Sequence, residues 1–176
     1  LERYRSLVDR SFDLIYLHDF EGRILDANPS ALTTLGYDFE ELSSLNLKDV
    51  FEGEDLERAR AAIETILETG EIMRPEEFRL KDIKGGTLHI EATSSILYRN
   101  GKPFAVQGIA RNITARKKSE RALEESEDKF SRAFHAIQVP MAISRRDDGT
   151  FLEVNRAFLV LYGVSREEVI GTRGTE

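Results

Sequence analysis

The chain of 176 residues is 40% hydrophobic and 32% charged, a composition typical of a folded globular protein and not of a disordered one. It contains no cysteine, which excludes a disulfide framework, a thiolate nucleophile and a cysteine-rich metal site. Its net charge of −7 argues against nucleic acid as a partner, and no apolar run approaches the roughly 20 residues of a membrane span.

The N-terminal region predicts a short helix followed by a β-hairpin. Apolar residues recur at helical spacing over residues 1–12, which indicates an amphipathic helix. Strand patterns over residues 14–18 and 23–27 then flank a tight turn. Gly22 in that turn can adopt the positive φ that closes a hairpin.

A short capped helix is predicted after the hairpin. Asn28 has the side chain of an N-cap, and Pro29 stands at the first helical position, where its missing N–H costs nothing. Ala31 and Leu35 contribute to one apolar face of this helix. Gly36 is the residue expected to end it.

The same hairpin and capped helix occur a second time. Asn155 repeats Asn28 at a shift of 127 residues, and several neighbouring residues match at the same shift. A repeat at one fixed spacing indicates a duplicated domain. The matching residues are Gly22 with Gly149, Gly36 with Gly163, and Glu40-Glu41-Leu42 with Glu167-Glu168-Val169.

The central region predicts a long helix and three strands. Residues 54–69 carry apolar side chains on one helical face, and Gly70 follows as a stop signal. Strand patterns over residues 76–81, 87–98 and 103–113 are joined by turns that contain glycine. Two strands, helices and three more strands predict the α+β class, with one antiparallel sheet and helices on one of its faces.

A further helix is predicted from Thr114 towards Gln138. In steps of seven, Leu123 and Phe130 share one position, while serines and an alanine fill the other seam position. One row of large and one row of small side chains make a weak coiled coil. This helix is therefore either a solvated connector or a dimer-forming signalling helix.

The sequence predicts neither a catalytic residue nor a metal site. The pairs Glu40-Glu41 and Glu167-Glu168 lie at the starts of short helices, where the helix dipole favours negative charge. We interpret them as structural. Metal-ligand clusters, phosphate-binding glycine loops and nucleophile elbows are absent from the sequence, so these residues are not expected to form an enzyme.

Six short motifs follow one another along the chain: Gly22-Arg23-Ile24, Asn28 with Ala31, Leu35-Gly36-Tyr37, Glu40-Glu41-Leu42, Lys81-Asp82-Ile83-Lys84-Gly85, and Asn112-Ile113-Thr114-Ala115-Arg116-Lys117. Their order and spacing resemble those of PAS domains, the sensory modules of bacterial and archaeal signalling proteins. The resemblance implies a complete PAS domain with a five-stranded sheet over residues 1–114 and a connector helix over residues 115–130. It also implies the N-terminal half of a second PAS domain over residues 131–176.

The resemblance further implies a mostly apolar small-molecule pocket between the sheet and the helices. Strand alternation places Val106, Gly108 and Ala110 on one face, where small residues are expected to leave volume for a ligand. The alternative is a collapsed cavity surrounded by core residues, because many PAS domains hold no ligand. The predicted lining residues are Tyr16, His18, Asn28, Tyr37, Phe78, Ser94, Val106, Gly108 and Ala110.

Two of these residues have a functional and a structural interpretation. His18 can hydrogen-bond a ligand or titrate near neutral pH, or it can be a core histidine bonded to the backbone. Asn28 can cap its helix, contact a ligand, or do both.

No cofactor is assigned from the sequence. In haem-binding PAS domains the proximal histidine comes from the long helix, and residues 54–69 contain none, so haem is not expected. Covalent flavin photosensors and the yellow-protein chromophore both need a cysteine and are excluded. Non-covalent flavin stays open.

Signal coupling is predicted at the end of the first domain. PAS domains usually carry Asp where this chain has Asn112, which puts the usual charge-based coupling to the outgoing helix in doubt. Thr114 can still cap that helix. The predicted coupling residues are Asn112, Thr114, Leu123 and Phe130.

The resemblance implies a cytoplasmic sensory input module, cut from a longer protein that can be anchored in a membrane elsewhere. A small ligand or a partner is expected to shift the sheet against the connector helix and bias an output domain, a histidine kinase or alternatively a diguanylate cyclase. We expect a homodimer through the N-terminal and connector helices and the outer sheet face. The rival interpretation is a ligand-free dimerisation scaffold. The partial second domain is expected to be poorly packed, to borrow cover from a neighbouring chain, or to be only partly folded.

Overall fold

The computed structural model describes residues 2–174, and within that range it leaves the side chains of residues 2–4, 43 and 71–73 undescribed. The chain divides into two compact units, residues 1–117 and residues 118–176. Leu1, Thr175 and Glu176, at the ends of the predicted domains, lie outside the described residues. The division falls within a helix, so the predicted boundaries at residues 114 and 130 stay a prediction.

The first unit contains helices and strands in the predicted order. Its elements are α1 (Glu2–Asp9), β1 (Leu14–His18), β2 (Ile24–Ala27), α2 (Pro29–Leu35), a 3-10 turn (Leu42–Ser44), α3 (Leu47–Val50), α4 (Gly53–Thr69), β3 (Glu71–Lys81), β4 (Thr87–Arg99) and β5 (Lys102–Asn112). Helix α5 (Thr114–Ala136) begins in this unit and continues into the second.

The strands of the first unit form one antiparallel sheet in the order β2-β1-β5-β4-β3. The last strand, β5, therefore lies at the centre, between β1 and β4. Alternating side chains of these strands pack with the helices into a core that includes Leu14, Phe78 and Ile90. The predicted α+β arrangement of a five-stranded sheet with helices is confirmed.

The predicted caps of α2 are confirmed. Oδ1 of Asn28 accepts a hydrogen bond from the backbone N–H of Ala31 at 3.0 Å, and Pro29 begins the helix. Gly36 ends it with φ of 81°, a left-handed conformation that costs a glycine little.

Strand β3 begins earlier than predicted. The sequence pattern placed it over residues 76–81, but β3 starts at Glu71 and includes Pro75, which cannot donate a hydrogen bond to a neighbouring strand. It is an edge strand, where a missing donor is tolerated, and its pairing with β4 shifts register between Ile72 and Glu76.

Helix α4 is attached to β3 through a buried carboxylate. Asp55 is 4% exposed, and its Oδ2 lies 2.7 Å from Nε of Arg79 on β3. Its Oδ1 accepts a hydrogen bond from Arg58 at 3.1 Å. Because the carboxylate is buried, both partners are needed to offset its desolvation, so this ion pair fixes where α4 lies on β3.

The second unit repeats the first half of the fold with little cover. After α5 it contains β6 (Ala142–Ser144), β7 (Phe151–Val154), α6 (Arg156–Tyr162) and α7 (Arg166–Val169). Among the described residues, β6 and β7 pair only with each other. No residue of α6 is buried. Large apolar side chains such as Val160 and Leu161 stay exposed.

Candidate functional site

The interior of the first unit contains two small cavities, with volumes of about 40 and 30 Å³. A site for one water needs at least about 10–15 Å³ on this measure, so each cavity has room for a few waters at most. Tyr16, Leu47 and Phe51 contribute to the lining of both. These three side chains therefore form the partition between the cavities.

A polar row crosses the centre of the sheet at this partition. Tyr16 on β1 pairs with Gly108 on β5, and Gly108 pairs with Ser94 on β4. The Tyr16 side chain lies across Gly108, because a Cβ built on that glycine would be 2.2 Å from Cζ of the tyrosine. Its hydroxyl forms a hydrogen bond with the Ser94 side chain, and burial raises the pKa of Tyr16 to about 12.

His18 lies beside this row. It is 3% exposed, its ring stacks on that of Tyr16 with centroids 6.0 Å apart, and its Nδ1 lies 2.7 Å from the carbonyl oxygen of Asp19. A carbonyl only accepts, so Nδ1 carries the proton and Nε2 of the neutral ring is the acceptor. Burial lowers the pKa of His18. His18 is thus bonded to the backbone, as the structural interpretation expected, and it also lines the second cavity.

Five predicted lining residues do border the cavities. Tyr16 borders both, Ala110 borders the first, and His18, Phe78 and Ser94 border the second. The other four, Asn28, Tyr37, Val106 and Gly108, do not line these two cavities, although Asn28 borders a wider open groove.

Gly108 and Val106 were expected to leave volume, and this was wrong. The space above Gly108 is filled by the Tyr16 ring. Val106 is fully buried and packs with Ile66 and Ile96 in a separate apolar cluster. Strand alternation places both residues on the inner face correctly, but it does not show which neighbour occupies the space.

Asn28 and Tyr37 also lie away from the cavities. Asn28 is 2% exposed, and its side chain makes four hydrogen bonds to the backbone, which leaves none for a ligand. Tyr37 packs at the rim of the core. Desolvation, together with the nearby carboxylates of Asp49 and Glu41, raises its pKa.

Sequence reasoning missed most of the helical side of the cavities. Leu47 begins α3 and Phe51 follows its end, and Ala59, Ile63 and Ile66 lie on α4. The apolar face predicted for residues 54–69 was the available signal, because that face has to be covered by the sheet.

The start of α5 is tied to the sheet by polar contacts. Oδ1 of Asn112 accepts from the N–H of Thr114 at 3.0 Å. The Thr114 hydroxyl was predicted to cap the helix, but it does not. It accepts from the N–H of His89 on β4 at 2.9 Å, because the adjacent Asn112 already satisfies the first free donor.

Charged groups also join α5 to the sheet, although Asp is absent at position 112. Nζ of Lys117 lies 2.6 Å from Oε2 of Glu77, and Arg116 reaches Oε1 of the same residue at 3.1 Å. The hydrogen bond from Lys117 and the two positive charges lower the pKa of Glu77. The other predicted coupling residues, Leu123 and Phe130, are 60% and 55% exposed on α5.

The two interior cavities are too small for a large cofactor, and the described residues form no cluster that could hold a metal ion. As the side chains stand, neither cavity has room for a flavin or haem ring system. No cluster of three or more His, Cys, Asp or Glu side chains is found in the part of the chain that the structure describes. A search of the same residues finds no helix long and apolar enough to cross a membrane.

Comparison with known proteins supports the fold and the duplication. A family model described as "PAS fold" matches residues 24–110, and one described as "PAS domain" matches residues 128–176. The chain is 30% identical to a crystallised domain of a sensory box sensor histidine kinase/response regulator from Geobacter sulfurreducens, with a TM-score of 0.53, covering 62% of this chain and 91% of that domain. The chain belongs to the PAS domain family.

Two further relatives agree with this assignment. A PAS domain from Colwellia psychrerythraea is 25% identical with a TM-score of 0.59, over 65% of this chain and 97% of that domain. A methyl sulfide methyltransferase-associated sensor from Methanosarcina acetivorans is 26% identical over 127 residues, which are 67% of this chain. The match covers 12% of that sensor's length. The chain therefore spans only a small part of that sensor, and both matches agree with a PAS domain in this chain.

Proposed function

We propose that the first PAS domain binds a compact, mostly apolar ligand with one hydrogen-bonding group and passes the signal through α5 to an output domain, a histidine kinase. A cytoplasmic location and a homodimer belong to the same proposal. The name of the Geobacter relative includes a sensor histidine kinase, which supports the choice of output. A diguanylate cyclase is the alternative output.

The polar row is the observation that carries this proposal. The first cavity is lined by apolar surface that includes the Tyr16 ring, whereas the second is bordered by Tyr16, His18 and Ser94, and the Tyr16 hydroxyl meets Ser94 there. A ligand with one polar group can replace the Tyr16–Ser94 hydrogen bond with its own and accommodate its apolar part in the joined cavities. Such a site combines apolar burial with one orienting contact.

The contacts at the start of α5 support a route for the signal. Ser94 and His89 lie on the same strand, β4. The backbone N–H of His89 donates a hydrogen bond to the Thr114 hydroxyl. A change in how β4 packs over the cavities therefore moves an attachment point of the helix. A transmission helix needs two arrangements that differ by only a few kcal/mol.

Native mass spectrometry of the purified chain, compared with its denatured mass, tests the proposal. An added non-covalent mass that is lost on denaturation is the expected result. Ala62→Leu, which fills the second cavity, should reduce the bound fraction. The control Ala61→Leu places the same side chain on the exposed face of α4 and should leave it unchanged.

The small cavity volumes favour a second candidate, a ligand-free dimerisation scaffold. In that case the native spectrum shows a dimer with no added non-covalent mass. Ala62→Leu then also shows no added non-covalent mass and has the same dimer fraction.

A further inference from the structure

Asn28 connects the N-terminal helix to the body of the domain. Its Nδ2 donates to the carbonyl of Val8 in the last turn of α1 at 3.1 Å and to the carbonyl of Asp13 at 3.0 Å. Its Oδ1 accepts from the N–H groups of Ile15 on β1 and Ala31 on α2, both at 3.0 Å. One buried side chain therefore holds a helix, a strand and the next helix together.

The second PAS domain contains the same arrangement. Asn155 is fully buried, and its Oδ1 accepts from Met141 at 2.9 Å and Phe158 at 3.0 Å. Its Nδ2 donates to the carbonyls of Ile137 and Val139, directly after the end of α5, at 3.2 and 2.8 Å. In both domains the two donated bonds thus hold the segment that ends the preceding helix.

In the first domain a second contact extends this connection to the outgoing helix. Nε and Nη2 of Arg111 on β5 donate to the two carboxylate oxygens of Asp13 at 3.0 and 3.1 Å. The hydrogen bond from Arg111 lowers the pKa of Asp13. Arg111 immediately precedes Asn112, which accepts from Thr114 at the start of α5. Because Arg111 donates two hydrogen bonds to one carboxylate, both its position and its orientation relative to Asp13 are fixed.

We propose that Asn28 and the Asp13–Arg111 pair form a helix-to-helix relay, in which displacement of α1 is passed to the start of α5 without use of the ligand cavities. Asn28 is the positioning residue that couples α1 to Asp13, and Arg111 carries the coupling to the last strand. Asn155 is the positioning residue that receives the end of α5 in the second domain. The relay works with or without a ligand, so it does not rest on the proposed sensing function.

The relay gives a tandem array a means of transmission, and the described part of the second domain repeats its asparagine step at Asn155. Ala31, which Asn28 caps, lines the first cavity, but the contacts that join α1 to α5, those of Asn28 with Val8 and Asp13 and of Asp13 with Arg111, involve no residue that lines either cavity. A signal that arrives through α1 from a preceding segment can therefore reach α5 even if the domain itself binds nothing.

Asn28→Asp tests the first step. An aspartate retains the cap, since its oxygen still accepts from Ala31, but it loses the two donated bonds to Val8 and Asp13. Residue-resolved hydrogen exchange on the full chain should show faster exchange in α1 and, through the relay, at Thr114 and Lys117, by about fivefold or more. Asn46→Asp is the matched control, because Asn46 also caps a helix and donates to a backbone carbonyl, that of Glu21.

Arg111→Gln tests the second step with an exposed residue whose loss the fold tolerates. Coupling between sites is reciprocal, so this variant should also accelerate exchange in α1 by a few-fold. In the double variant Asn28→Asp/Arg111→Gln, Thr114 and Lys117 should exchange no faster than with Arg111→Gln alone. Arg60→Gln removes another exposed ion pair, with Glu57, and should affect neither helix.

Three results would overturn the relay. In the first, Asn28→Asp frees α1 but leaves exchange at Thr114 and Lys117 unchanged. In the second, the effects of the two variants on those amides simply multiply. In the third, Asn46→Asp has the same effect as Asn28→Asp. If Asn28→Asp fails to fold, the test rests on the Arg111→Gln variant alone. An unchanged hydrogen-exchange rate in α1 of that variant would contradict the proposal.

Discussion

The two PAS units begin with the same local structure and differ in what covers it. Asn28 and Asn155 make equivalent sets of four hydrogen bonds, and a glycine in the left-handed conformation ends the helix that each one caps. Yet α2 buries Ala31, whereas α6 buries nothing. Strand β1 is paired on both edges, while β6 pairs only with β7 among the described residues. Local hydrogen bonding thus forms the motif in both units, and the long strands β3 to β5 supply burial in the first.

The largest expected effect follows from separating the units. Residues 1–117 alone should unfold in one cooperative transition, because they contain the five-stranded sheet and its core. Residues 118–176 alone should show no cooperative transition at low concentration, since a two-stranded hairpin without cover is marginal at best. Urea titration followed by circular dichroism measures both. A cooperative transition of monomeric 118–176 would contradict the comparison.

Asn28→Ala and Asn155→Ala remove the same bonds from the two units. Asn28→Ala leaves buried backbone groups unpaired and should lower the free energy of unfolding of the first unit by about 3 kcal/mol. Asn155→Ala should change that transition by less than about 0.5 kcal/mol, because Asn155 belongs to the other compact unit and shares no hydrogen-bond partner with Asn28. Its effect should appear as faster hydrogen exchange at Phe158 and Met141. Equal losses in the main urea transition would show that the two units unfold together.

Sequence reasoning found the features that depend on residues close together in the chain. The Asn28 cap, Gly36 and the hairpins are local, so a short stretch is enough to predict them. The repeat was found in the same way, although the structure places its first half at a shift of 126. Asn28 bonds to Ile15, and Asn155 bonds to Met141, because the second hairpin is one residue longer.

The features it missed depend on contacts between distant residues. Nothing near Gly108 in the chain indicates that the Tyr16 ring will cover it, and the Asp55–Arg79 ion pair joins residues on different elements. The strand predicted over residues 76–81 was too short, and only the sheet order shows that β3 lies at an edge, where Pro75 is tolerated. The fold was therefore predictable, whereas the cavity lining was only partly so.

The Tyr16–Ser94 bond has no counterpart in the second unit and tests how much the long strands add. Tyr16→Phe leaves Ser94 without its partner and should cost the first unit about 1–2 kcal/mol of unfolding free energy. Ser94→Ala should cost a similar amount. The double variant should lose less than the sum, because no buried group is then left unpaired. Urea midpoints of the four proteins give the coupling, and strict additivity would show that the hydroxyls do not interact.

The smallest expected effect is a pH dependence confined to the first unit. His18 corresponds to Ser144 of β6, an exposed residue that cannot titrate. Burial lowers the pKa of His18 from its ordinary value of 6.5, so below that value the unfolded chain binds a proton that the folded chain does not. His18 therefore contributes stability that is present in full above about pH 6.5 and is lost as the pH falls through its folded pKa, with a slope of at most about 1.4 kcal/mol per pH unit.

His18→Asn isolates this contribution, because the amide can still donate to the carbonyl of Asp19 but carries no titrating proton. Urea midpoints measured between pH 5 and pH 8 should fall less steeply towards acid in this variant than in the wild type. A His18→Asn profile parallel to that of the wild type would mean that His18 gains its proton in the folded state as easily as in the unfolded chain. The burial that separates His18 from its exposed counterpart would then have no electrostatic consequence.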